Sequence, residues 1–184
     1  MRLESRLTFD DDGIAAWRRL SLRSAVSFFT GGRLFFAGNG GSAANANHAA
    51  EDFQLTAGLH AISLAANVAA ITAIANDYGY DSVFSRQLLS ARPGPKDTLV
   101  ALSVSGTSPN ICRVLQTAQE AGMCCWLLTG PDFPGEIRQE YPCHVVQFKG
   151  HIGAVESAHL HFLHEVLQRV DQLLELIGKD CDES

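Results

Sequence analysis

Two side chains with acid/base chemistry stand four residues apart in this chain, His48 and Asp52, within Asn45-Ala-Asn-His-Ala-Ala-Glu-Asp52. On a helix that spacing puts both on one side. An imidazole and a carboxylate so paired can move protons on a small molecule or share a metal ion. Just upstream lies Gly38-Asn39-Gly40-Gly41-Ser42, which follows the apolar run 34–37. Glycines in such a turn let backbone N–H groups approach an anion, because no Cβ intervenes. The helix that begins there adds its positive end. An anion cradle beside an acid/base pair suggests a phosphorylated small molecule on which protons are moved.

A second segment repeats the design. Residues 97–110 run from strand through a hydroxyl-rich turn into a helix, with Ser103, Ser105, Thr107 and Ser108 inside six positions. Hydroxyls and N–H groups at a helix start bind phosphate without needing lysine. Ser108 before Pro109 also suits an N-cap followed by an N1 proline, so capping and anion binding both stay open. The third segment, 154–165, carries His159, His161 and His164. Glu156 and His164 lie eight positions apart. At ~3.6 residues per turn that leaves them about 80° apart, bordering one face with Leu160 between them. His159 and His161 read as satisfied core histidines.

The elements that must hold these residues follow from hydropathy. Residues 13–30 form an amphipathic helix, with Ile14, Trp17, Leu20 and Val26 at near-helical spacing, ended by Gly31-Gly32. Five apolar runs (33–37, 61–65, 98–103, 124–128 and 144–148) alternate with helical patterns. Continuous apolar runs suit parallel strands buried on both faces, and the alternation implies right-handed βαβ units. A last helix is expected over 153–176. At 184 residues the chain is read as one domain, 1–184.

The net charge of −6 argues against a nucleic-acid partner, which calls for a basic face. No apolar run approaches the roughly 20 residues of a membrane helix. The first residues lack the apolar stretch of a signal peptide, so a cytoplasmic location is expected. Cysteines 112, 124, 125, 143 and 181 read as reduced thiols rather than a disulfide framework.

Taken together, Gly38-Asn-Gly-Gly-Ser42 with His48, Ala75-Asn-Asp-Tyr-Gly79, Ser103-Val-Ser-Gly-Thr-Ser108 and Leu128-Thr-Gly130 resemble the SIS (sugar isomerase) domain family. Within it the pattern is most similar to the phosphoheptose isomerases. The relatives of those enzymes include a non-catalytic protein that binds the bacterial replication initiator. The resemblance implies a three-layer α/β/α sandwich with a five-stranded parallel sheet, flavodoxin-like, assembled as a homotetramer with sites between subunits. It implies conversion of sedoheptulose 7-phosphate to D-glycero-D-manno-heptose 7-phosphate through an enediol(ate), an early step toward bacterial surface heptose and lipopolysaccharide.

Position by position, the resemblance makes Asp52 the base and His164 its partner. It gives substrate binding to Asn39, Gly40, Gly41, Ser42, Asp77, Ser103, Ser105, Ser108 and Glu156. The family's zinc-holding members use four positions that read here His48, Asp52, Glu156 and His164, so zinc is the implied cofactor. The chain departs from the family at several of them. Asp52 replaces a glutamate, Glu156 a glutamine and Val104 a threonine, and an arginine expected near 53–60 is missing. These departures keep two alternatives open. One is a non-catalytic sugar-phosphate-binding or regulatory protein, and the other is an isomerase of another sugar phosphate, such as a pentose 5-phosphate. An alternative alignment would give the base role to Glu51, whose side chain turns about 100° away from Asp52.

Overall fold

Strand β1 (Leu34–Gly38) is buried along its whole length, as a continuous apolar run requires when both faces are covered. The computed structural model describes residues 11–134 and 143–182. In chain order these hold α1 (Asp11–Thr30), β1, α2 (Gly41–Leu55), β2 (Ala61–Ser63), α3 (Val68–Tyr78), a 3-10 turn (Tyr80–Ser82), α4 (Val83–Ser90), β3 (Thr98–Ser103), α5 (Pro109–Glu120), β4 (Cys124–Thr129), β5 (His144–Gln147) and α6 (Ile152–Asp182). The five strands pair in parallel in the order β2-β1-β3-β4-β5.

Alternate residues of each strand feed two separate cores. Phe36, Val100, Leu102, Trp126 and Leu128 pack with α1, α2 and α6, while Phe35, Ala37, Leu99, Ala101 and Leu127 pack with α4 and α5. The result is the three-layer sandwich expected from the sequence. Strand order reverses between β1 and β3, and ligands of such sheets bind beyond the carboxyl ends of the strands at that point. Gly38 pairs with Leu102 there, so the glycine turn and the serine turn leave the sheet side by side.

The opposite end of the same strands is tied electrostatically. Arg33 Nη2 bonds Asp97 Oδ2 at 2.7 Å, while Asp97 Oδ1 accepts from Arg33 N–H and Nε. Burial alone would push the Asp97 carboxyl up. The Arg33 guanidinium, with the N–H groups of Gly94 and Arg33, more than offsets it and holds the carboxyl below its ordinary value.

The expected boundaries hold to within a few residues, with two differences. β2 stops at Ser63 because Ser63 Oγ accepts from Ala65 N–H, turning the chain out of the sheet. The last helix runs on to Asp182, past the expected end at Leu176 and through Gly178. A helical glycine costs about 1 kcal/mol relative to alanine, which a long helix absorbs. α3 carries an apolar sequence, yet none of its residues is buried and Val68 is 70% exposed. No described helix is long and apolar enough to cross a membrane.

Candidate active site

The glycine turn and the serine turn open into one cavity of about 730 Å³. Its lining includes Asn39 and Ser42 from the first turn, and Ser103, Ser105, Thr107 and Ser108 from the second. Each turn is built by local rules. Gly40 sits at φ +54° before α2, and no side chain caps that helix or places an acid in its first turn. The helix start therefore leaves its positive end to a group supplied from elsewhere in the fold. In the second turn Ser103 Oγ accepts from Gly106 N–H at 3.1 Å and Ser105 Oγ from Thr107 N–H at 3.3 Å. Gly106 stands at φ +69°, and a Cβ there would strike the Phe133 ring. Ser108 does occupy the N-cap position with Pro109 at N1, but its hydroxyl makes no capping bond and faces the cavity instead.

Asn39 joins the two turns. It exchanges amide hydrogen bonds with Asn110, Nδ2 to Oδ1 at 2.9 Å and the reverse at 2.8 Å. The Tyr80 hydroxyl donates to Asn39 Oδ1 at 3.0 Å. Asn110 is 2% exposed and Tyr80 54%. Sequence reasoning singled out neither. A buried asparagine at the second helical position, right after the serine turn, was a signal available for Asn110; nothing local marks Tyr80.

The acid/base residues meet two helical turns further along. Gly41, Asn45, His48 and Asp52 form a stripe on α2 that faces α6, and Asn45 Nδ2 donates to the Glu156 carbonyl at 2.8 Å. His48 Nε2 lies 3.2 Å from His164 Nε2 and 3.2 Å from Asp52 Oδ2, and His164 Nε2 lies 3.1 Å from Asp52 Oδ2. Among the described residues these three form a group able to hold a metal ion. A tetrahedral zinc with bonds of ~2.0–2.1 Å sets its ligand atoms about 3.3 Å apart. The near-equilateral triangle matches one face of that tetrahedron. Two imidazole nitrogens and a carboxylate oxygen are also a donor set that suits zinc.

Other expected site residues fall elsewhere. Glu156 is not one of the three clustered donors. Its carboxylate lies in the cavity against Gly41, where any Cβ would collide with it. Asp77 is exposed on α3, accepts from Asn76 Nδ2 at 2.8 Å and does not line the cavity. Glu51 stands outside, 62% exposed, 4.0 Å from His48 Nδ1. His159 is buried in the core as expected, fully enclosed beside Phe148, but not satisfied, since neither ring nitrogen has a hydrogen-bond partner; burial pushes its pKa down to about 4 with the Thr129 backbone opposing in part. His161 is only half-buried and stands 3.8 Å from Glu165. Cysteines 112, 124, 125 and 143 form no disulfide among the described residues, and burial, with Cys143 and Cys124 nearby, pushes Cys125 up to about 12. The side chain of Cys181 lies outside the described residues.

A parallel sheet with two helix starts at its switch point, beside an imidazole–carboxylate cluster, defines an α/β protein built to bind a small anionic ligand there. Residues 11–130 match the SIS domain, and the chain belongs to that family. It is 37% identical over 173 residues to a phosphoheptose isomerase of Chlorobaculum parvum, spanning 90% of this chain and 80% of that one. It is 36% identical over 181 residues to a phosphoheptose isomerase of Mycobacterium tuberculosis, spanning 94% and 89%. The solved structure of a phosphoheptose isomerase from Neisseria gonorrhoeae superimposes with a TM-score of 0.76 at 30% identity, over 88% of this chain and 86% of that one.

Proposed function

We propose that the protein is a phosphoheptose isomerase, interconverting sedoheptulose 7-phosphate and D-glycero-D-manno-heptose 7-phosphate. The observation that carries this reading is the convergence of His48, Asp52 and His164 two turns along the helix whose start forms the cradle. From Gly41 to His48 is seven residues, about 10 Å along the helix axis. The serine turn leaves the sheet beside the glycine turn, so the carbon chain has a rise of that order to cover between a phosphate there and the cluster. A seven-carbon phosphate reaches further than a pentose phosphate.

Ser105, Ser108 and the N–H groups of their turn hold the phosphate, which fixes the far end of the chain against the reacting groups. Both imidazoles address Asp52 Oδ2, and Oδ1 is the oxygen assigned to the substrate carbon. Asp52 takes a proton from C1 of the ketose while His164 supplies one to the carbonyl oxygen at C2, giving the enediol. Asp52 then returns its proton to C2 as His164 removes the one on O1, giving the aldose. His48, Asp52 and His164 fit zinc, whereas Glu156, the fourth ligand that the resemblance implies, lies against Gly41 and outside this group. A zinc ion supplies Lewis-acid stabilisation of developing negative charge on oxygen. Cytoplasmic residence and a homotetramer belong to the same proposal. The unburied apolar face of α3 supports assembly.

The test is turnover of sedoheptulose 7-phosphate by the purified protein, with and without added zinc, beside Asp52→Ala. Turnover that disappears in the variant is expected. Turnover that persists in Asp52→Ala would remove the proposed base.

A further inference from the structure

The cavity is entered by two helix starts of similar design, yet they differ in charge. At α5 the turn offers the hydroxyls of Ser103, Ser105 and Ser108. At α2 the place of an incoming anion is already taken, because the carboxylate of Glu156 rests against Gly41. Neither α2's own cap residue nor its first turn supplies an acid, so Glu156, reaching across from α6, is the negative group at that end. Its backbone is fixed there by Asn45. Asp132 adds a second carboxylate to the lining; among the described lining residues His151 is the one basic side chain, and there is no lysine or arginine.

We infer that Glu156 is a specificity-determining residue, closing the α2 helix start to anions so that the cavity accepts a single phosphate, at the serine turn. A fixed carboxylate close to a helix start repels a phosphate oxygen, and in a partly enclosed cavity of low effective dielectric the repulsion is strong. The consequence for orientation rests on the isomerase reading. The substrate phosphate is directed to α5, the polyol chain passes Glu156 with its hydroxyls donating to the carboxylate, and the reactive end reaches His48, Asp52 and His164. Ligands with an anionic group at both ends, such as sugar bisphosphates, are disfavoured.

Calorimetric titration with inorganic phosphate tests this without any turnover. The proteins compared are wild type, Glu156→Gln, Glu156→Ala, the double variant Ser105→Ala/Ser108→Ala, and that double variant carrying Glu156→Ala. Wild type is expected to bind one phosphate per chain. Both Glu156 variants gain a second site, at least about tenfold tighter than any binding at that end in wild type. The serine double variant binds none, and adding Glu156→Ala restores one site. Unchanged stoichiometry and affinity in both Glu156 variants would overturn the inference, as would a triple variant that binds nothing. Failure of wild type to bind phosphate counts against the serine-turn reading instead, and the second site in Glu156→Ala still decides this one. Thermal melting of each variant confirms that it is folded, and Glu156→Gln preserves the side-chain shape.

Discussion

The serine turn and the imidazole–carboxylate cluster are built in opposite ways. The turn is contiguous, with its hydroxyls in Ser103–Ser108, and its shape is set by bonds two or three residues long. The cluster depends on the packing of α2 against α6, with His164 more than a hundred residues from its partners. A contiguous anion site survives small shifts between helices. A cluster whose three donor atoms lie 3.1–3.2 Å apart does not, since a misplacement of about 1 Å can cost ~100-fold in rate. Binding and chemistry should therefore fail separately.

The largest separation comes from Asp52→Ala. Removing a general base costs about 10²–10⁴-fold in kcat. Phosphate binding should stay within about twofold of wild type, because Asp52 is absent from the cavity lining. Steady-state kinetics beside phosphate calorimetry check this, and a parallel loss of both would make turn and cluster one unit.

The converse change is Gly106→Ala. A left-handed alanine costs about 1 kcal/mol, and collision with the Phe133 ring adds ~1–3 kcal/mol of overpacking. A total of about 3 kcal/mol should appear in urea melts, with phosphate affinity falling and the zinc affinity of the cluster unchanged. Zinc binding lost in step with phosphate would contradict the separation.

The same contrast governs how far the site could be read from the chain. The turns were legible because glycine and serine at a strand–helix junction act through local backbone geometry. The five strands were legible because continuous apolar runs demand burial on both faces. His48 and Asp52 were placed together by helical spacing alone. That His164 joins them came from the family resemblance, because no local rule reports which helices pack. The position of the Glu156 carboxylate against Gly41, the Asn39–Asn110 exchange and the outward placement of Asp77 were not legible. Each is a rotamer or tertiary contact between segments remote in sequence, save Asp77, whose side faces away from the cavity of its own chain.

Both regions hang from strands anchored at their far ends by Asp97 and Arg33, so Asp97→Asn should weaken them together. Losing a charge-assisted pair that is largely buried at Asp97 but only partly at Arg33 costs about 2 kcal/mol. The pH sign follows from the lowered carboxyl pKa. The stabilisation is complete above the unfolded-state value of ~3.9 and is lost as pH falls below it toward the folded-state pKa. Stability measured from pH 6 downward should therefore drop in wild type below about pH 4, and the asparagine variant should lack that component of the slope.

The smallest expected effect sharpens the comparison most. Tyr80→Phe removes one hydroxyl that donates to Asn39 Oδ1 and leaves the Asn39–Asn110 exchange in place. An exposed neutral hydrogen bond contributes about 0.5–1 kcal/mol or less, so global stability should hardly move. Tyr80 holds Asn39, and with it the glycine turn that lines the cavity. The readout is then a rise in KM of about two- to fivefold with kcat preserved, since less of the free protein presents a formed cradle. A purely structural tyrosine would lower stability without splitting KM from kcat. A fall in kcat at constant KM would instead mean that the turn communicates with His48 and Asp52 along α2, and binding and chemistry would no longer be separable.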